Sequence, residues 1–246
     1  ILAALPMLAA ATEVPTADVK GLTDPPGVKR YVGAVLVYRD DVAYDELKFP
    51  SAKVRDVEAP YQALARSGRR VTLQYTVPAT RSSLEVIRNY QQQARSDGYQ
   101  AVFECAGDAC GADGLQLKFS IVAGMLPARF VGQIGENSAA ACGAYGVSNI
   151  RYALLENKAT GATLAVAAAN PEIFSTSCSE AFKNQISVWV TRIEPQAREQ
   201  QMVALSASEM AKSIDEDGRV ALYGIYFDTG KADIKPESKA SLNQIS

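Results

Sequence analysis

Hydrophobic and polar positions alternate most clearly along "RRVTLQYTVP", residues 69–78. Val71, Leu73 and Tyr75 fall on one side of an extended chain, and Thr72, Gln74 and Thr76 on the other. A period of two marks a half-buried strand. The period then changes. In "RSSLEVIRNYQQQARSDGY", Leu84, Ile87, Tyr90, Gln91 and Ala94 share one mostly apolar helical face. Ser82 is a fitting N-cap, Glu85 completes a capping box, and Gly98 suits the stop. "YQAVFEC", residues 99–105, returns to strand. The pattern predicts strand, amphipathic helix, strand, and leaves open whether the two strands are neighbours.

The same patterning predicts strands at residues 30–40 and 42–54, the second with Pro50 marking its end. It predicts a hairpin of residues 152–156 and 162–169 about a polar turn, and a strand at 185–195. Further along lie a strand at 200–206, a helix capped by Ser206 with Glu209 and stopped by Gly218, and a strand at 219–227. Residues 115–126 fit strand or helix. Residues 12–28, rich in Pro, Gly, Thr and Asp, read as a linker or loosely held arm. No internal repeat or heptad stands out. An outer-membrane barrel needs alternating strands of about ten residues joined by tight turns, and two well-capped helices argue against one. The expected fold class is α+β: a mostly antiparallel sheet with a few packed amphipathic helices.

Composition narrows the chemistry. The chain has 246 residues, 48% of them hydrophobic, so a sizeable core is expected. Basic and acidic side chains number 25 and 27. With no basic stripe interleaved with aromatics, no nucleic-acid partner is expected. There is no histidine, which removes His-based triads, metal sites and pH switches together. The opening "ILAALPMLAAATEVP" is too short to span a bilayer, which takes about 20 apolar residues. It reads as the end of a secretory signal with a small-residue exit at Ala9 and Ala11; a buried N-terminal helix or strand is the other reading. No cysteine follows the run, so a lipid anchor is not expected.

An even count of four cysteines in an exported chain suggests disulfides. Of the three possible pairings, the nearest-neighbour one is expected: Cys105–Cys110 with Cys142–Cys178. As half a metal site, "CAGDAC" lacks a second pair at similar spacing, so no metal is expected. Ser82, Ser83 and Ser175 have no histidine base, and Asp108 has no adjacent acid. The acids of "DDVAYDE", residues 40–46, read as a solvated face. Arg69, Arg70, Arg81 and Arg88 read as exposed arginines rather than contacts to an anionic ligand. The Gly-rich stretch 132–146 fits neither a phosphate loop nor a dinucleotide fingerprint. No catalytic residue and no cofactor are assigned.

The most specific stretch is "GIYFDTGKADIKPES", residues 224–238. Tyr226 and Phe227 end a strand, Asp228, Thr229 and Gly230 turn, and Ile234 returns to the core. Pro236 and Glu237 then open a helix, with Leu242 and Ile245 as its apolar face. "FDTGKADIKPES" resembles the opening of the OmpA/MotB-like peptidoglycan-associating domain, F-[DN]-x-x-K-A-x-[IL]-x-P-E-[SG]. It matches at Phe227, Asp228, Lys231, Ala232, Ile234, Pro236, Glu237 and Ser238. "RYVGAVLVYRDDVAYDELKFP", "RSSLEVIRNYQQQARSDGYQAVFECAGDACG" and "MAKSIDEDGRVALYGIYFDTGKADIKPES" resemble an uncharacterised periplasmic domain found in front of OmpA-like domains in Gram-negative bacteria. This likeness runs from about Arg30 to the end.

The resemblance implies a signal-peptide remnant at 1–11, a linker or arm at 12–29 and a periplasmic α+β domain at 30–199. Residues 200–246 would be a connecting unit and the first strand and helix of a truncated OmpA-like α/β domain. It implies a peptidoglycan-pocket rim at Asp228, Thr229, Gly230 and Lys231. The family's principal ligand-holding Asp and Arg, in G-H-T-D-like and L-S-x-x-R-A-like motifs, follow the first helix and have no counterpart here. Where some members carry Asn before the Lys, this chain has Gly230. The expected function is a non-enzymatic cell-envelope protein, in the periplasm at the outer membrane or cell wall. In intact form it would tether the outer membrane or a periplasmic assembly to peptidoglycan, with another envelope protein as a further partner. The alternative is a periplasmic ligand- or polymer-binding module without wall anchoring.

Overall fold

The computed structural model describes residues 11–55, 59–78, 80–111, 115–130, 134, 138–173, 175–199, 207–219, 225–228 and 230–243. They form two compact units, Ile1–Arg198 and Glu199–Ser246.

The first unit is built on one antiparallel sheet. Its strands are β1 (Val35–Pro50), β2 (Ala63–Pro78), β3 (Gln100–Ala106), β4 (Leu115–Gln116), β5 (Gly146–Glu156), β6 (Thr163–Pro171) and β7 (Gln185–Glu194). The sheet order is β1-β2-β7-β6-β5-β3, with the two-residue β4 beside β5. Every pairing is antiparallel. Helix α1 (Ser83–Ser96) carries the chain from β2 across β6 and β5 to β3, so the strands flanking the helix are not neighbours.

Local chemistry explains α1. The Ser82 hydroxyl accepts from the Glu85 N–H at 3.1 Å. The reciprocal half of the capping box is absent: the Glu85 carboxylate is held instead by Tyr31 and Arg81. At the other end Gly98 takes φ +85°. Its N–H donates to Arg95 and the Tyr99 N–H to Ala94, the paired bonds of a Schellman stop. The buried stripe is Ser83, Val86, Ile87, Tyr90, Gln91 and Ala94. Leu84, expected on that stripe, sits at its margin and is 42% exposed.

The two predicted N-terminal strands are one. Val42 pairs with Arg70 and Asp45 with Gly68, so β1 carries one residue more than β2 across this interval. The irregularity in "DVAYD" is a β-bulge, which bends a strand without ending it. Strand β2 likewise begins at Ala63, ahead of the clean alternation. Gly68 breaks the pattern because only glycine fits: at φ +147° an added Cβ would lie 2.0 Å from the Glu194 carbonyl oxygen.

The sheet is covered on both faces. One face packs Val71, Leu73 and Tyr75 against Val86, Ile87 and Tyr90 of α1. The other carries Trp189, Tyr152 and Leu154 beneath Met125, Phe130 and Ala140. Its cover is short 3-10 turns (Leu117–Phe119, Ile121–Met125) and helix α2 (Ala139–Cys142). The polar side of β2 therefore does not face water. Thr72, Gln74 and Thr76 are buried under this second layer. The Gln74 amide donates to the Ala140 carbonyl, and the Ser187 hydroxyl to that of Gly143. Residues 115–126, compatible with strand or helix, form the brief β4 and then the 3-10 turns.

Two disulfides staple the second layer. Cys105 is bonded to Cys110 and Cys142 to Cys178, and no described cysteine is free. The hairpin of β5 and β6 closes with the Asn157 N–H on the Ala162 carbonyl. The Asn157 side chain reaches back to the carbonyl of Asp97, tying the turn to the end of α1. Residues 12–28 are bound at several points: Thr12 bridges Cys178, the Val19 N–H donates to Leu36, and Leu22 and Val28 pack on the core.

The second unit contains helix α3 (Ala207–Asp217), closed by Gly218 at φ +68°. After residues 225–228 the chain enters a 3-10 turn (Pro236–Ser238) and a short helix α4 (Lys239–Leu242). Residues 1–10, 200–206 and 220–224 and Thr229 lie outside the described residues. These take in most of the signal-like run, the strand expected at 200–206, the Ser206 cap and most of the strand expected at 219–227.

Candidate functional site

The sequence places its candidate site in "FDTGKADIKPES". Phe227 and Ile234 form an isolated antiparallel bridge. Between them the Lys231 N–H donates to the Asp228 carbonyl at 3.0 Å, and Gly230 supplies φ +75°. Lys235 N–H donates to the Tyr226 carbonyl, closing the loop. Pro236 then opens the helical turn, where its missing N–H costs nothing. The Ser238 hydroxyl accepts from the Tyr226 N–H at 2.8 Å and locks the turn to the helix start. Asp228 lies 3.0 Å from the Lys235 ammonium and 3.9 Å from that of Lys231. The rim thus gathers Asp228, Gly230 and Lys231 with one addition, Lys235, and Thr229 lies outside the described residues. It carries one carboxylate against two ammonium groups. Phe227 and Ile234, the latter expected in a core, are 52% and 47% exposed.

The first unit holds two ion clusters that sequence reading missed. Arg70 has no exposed surface. Its Nε donates to Asp45 at 2.6 Å, Nη2 to Asp40 at 2.7 Å and Nη1 to the Thr72 hydroxyl at 2.8 Å. Arg129, on the covering layer, grips the same Asp40. Asp41 pairs with Arg39 and Arg69. Asp40, Asp41 and Asp45 are therefore arginine partners rather than a solvated face, while Glu46 is exposed as expected. Burial pushes the Asp40 carboxyl up, but hydrogen bonds from Arg70 and Arg129 outweigh it and hold it below the usual range.

The second cluster ties the N-terminal arm to the sheet. Arg30 meets Asp18 at 2.6 and 2.8 Å and Asp24 at 2.5 Å, and lies 5.6 Å from the centre of the Tyr75 ring. The Tyr75 hydroxyl donates to Asp24. The Arg30 hydrogen bond lowers the Asp18 carboxyl and raises the Arg30 guanidinium. Burial, with the Asp24 hydrogen bond, raises the Tyr75 hydroxyl.

Beside this cluster an open groove of about 300 Å³ runs between Lys29–Val32 and α1. Glu85, Asn89 and Gln93 line its helical wall. Their four-residue spacing is visible in the sequence; the opposing wall is not, because only the fold brings the arm there. Among the described residues no group of His, Cys, Asp and Glu is arranged to hold a metal ion, and no helix is long and apolar enough to cross a membrane. No family model matches the chain, and no curated protein matches it.

Proposed function

We propose that this is a non-enzymatic cell-envelope protein whose second unit belongs to a peptidoglycan anchor and whose first unit is a rigid, disulfide-stapled periplasmic module. The observation that carries this reading is the "FDTGKADIKPES" stretch, with its resemblance to the opening of an OmpA-like domain. The turn supports it. Gly230 reverses the chain at positive φ, Pro236 starts the helix, and Asp228 and Lys231 are 49% and 63% exposed at the rim. The two disulfides suit an oxidising compartment such as the periplasm. In intact form the protein would tether the outer membrane or a periplasmic assembly to the wall, with another envelope protein as partner of the first unit.

Co-sedimentation with purified peptidoglycan sacculi tests this, run on the 246-residue chain and on the complete product of its gene. The gene product is expected to pellet with the wall, and Asp228→Ala with Lys231→Ala to weaken it. If neither protein pellets, the anchor reading fails. If the double variant pellets like the parent, the rim has been misplaced.

A further inference from the structure

We propose that the groove between Lys29–Val32 and α1 is a binding site for a neutral, hydroxyl- and amide-rich polymer, a glycan strand. The inference concerns the first unit and does not rest on the anchor reading of the second.

One wall is a ladder. Glu85, Asn89 and Gln93 follow one another every four residues on α1, a step of about 6 Å along the axis, comparable with one pyranose ring. Each rung is fixed by its neighbours. The Asn89 amide N–H donates to the Glu85 carbonyl at 2.9 Å, and the Gln93 amide N–H to the Asp97 carboxylate at 3.0 Å. That leaves the amide oxygens of Asn89 and Gln93 without a partner among the described residues, as acceptors in a row. The opposite wall is a half-buried tyrosine and an apolar tip. The Tyr31 hydroxyl donates to Glu85 at 2.6 Å, which anchors its ring, and Val32 is 91% exposed.

The charges of this groove largely cancel. Arg30 is neutralised by Asp18 and Asp24. Glu85 is held by Arg81 and Tyr31. Lys29 lies 3.8 Å from Asp97. A nucleic acid or a strongly charged peptide would find no unmatched counter-charge. What remains is a line of amide acceptors, one ammonium donor and an aromatic ring. Sugars are recognised by such a set: hydroxyls and N-acetyl N–H groups donate to the amides, while the ring's C–H face lies on an aromatic side chain.

The test is titration of the whole chain with an N-acetylglucosamine hexamer, read by NMR shifts and calorimetry. Saturable binding is expected, with shifts at Tyr31, Asn89 and Gln93. Asn89→Ala with Gln93→Ala should weaken it about tenfold. Both sites are on a helix surface where alanine is well tolerated, and an unchanged melting temperature checks the fold. Gln100→Ala, on β3, should leave binding as it was. Absence of saturable binding overturns the proposal, as does a double variant that binds like the parent or a Gln100→Ala variant that loses as much. Hexamer binding that survives Asp228→Ala with Lys231→Ala, neither of which lines the groove, keeps the two readings separate, and sacculus pelleting with no hexamer binding would sink the groove and leave the anchor.

Discussion

Arg70 shows how much one side chain can organise. It is fully buried, yet each guanidinium nitrogen has an oxygen within 2.8 Å, from Asp45, Asp40 and Thr72. A buried charge that keeps its partners is tolerated; removing one side strands the other. Arg70→Ala is expected to cost about 3–5 kcal/mol in urea unfolding at pH 7. A loss under about 1 kcal/mol would mean that Arg129 alone satisfies Asp40. The period of two already separated Arg69 from Arg70. The sequence reading took Arg70 for an exposed arginine, whereas the side of β2 that carries it lies under a second layer.

Elements built on short-range chemistry were legible. Helix α1 has its cap at Ser82 and its stop at Gly98, both read from a handful of adjacent residues. The hairpin about Asn157 and the strand ending before Pro195 are equally local. The bulge in β1 was not legible, since nothing local tells a bulge from a strand end. The staples belong here too. Cys142–Cys178 spans 36 residues and Cys105–Cys110 spans 5. Loop-closure entropy then predicts that Cys142→Ala with Cys178→Ala costs about 4 kcal/mol, and the pair at 105 and 110 about 2 kcal/mol. Chemical denaturation of the two double variants decides it. A reversed order would show that native packing at the short loop outweighs chain entropy.

The molecule as a whole carries a pH signature. Asp18, Asp40, Asp41 and Glu156 are all held below their ordinary range by arginine or lysine partners. Carboxyls depressed by folding stabilise above their unfolded value, and that contribution is lost as pH falls through the folded one. At the alkaline side burial raises the hydroxyls of Tyr38, to about 12, and of Tyr90 and Tyr152. Groups raised by folding stabilise below their unfolded value and lose that contribution as pH rises. The urea midpoint should therefore be level between about pH 5 and 9 and fall on both sides. Fluorescence of the single, fully buried Trp189 reports it directly. A midpoint unchanged from pH 7 down to pH 3 would remove the carboxylate pairs from the account.

The sequence by itself determined the periods of β2 and α1, the two caps of α1, the hairpin turn and the α+β class, and it limited four cysteines to three pairings. Each follows from interactions among residues close along the chain or from a count that admits few arrangements. Only the tertiary structure decided which faces are covered. It set three strands between β2 and β3, buried the Arg70 side of β2, matched Asp40, Asp41 and Asp45 to arginines and laid residues 29–32 beside α1. Those contacts join residues tens of positions apart, and no local period carries information about what packs on a polar face.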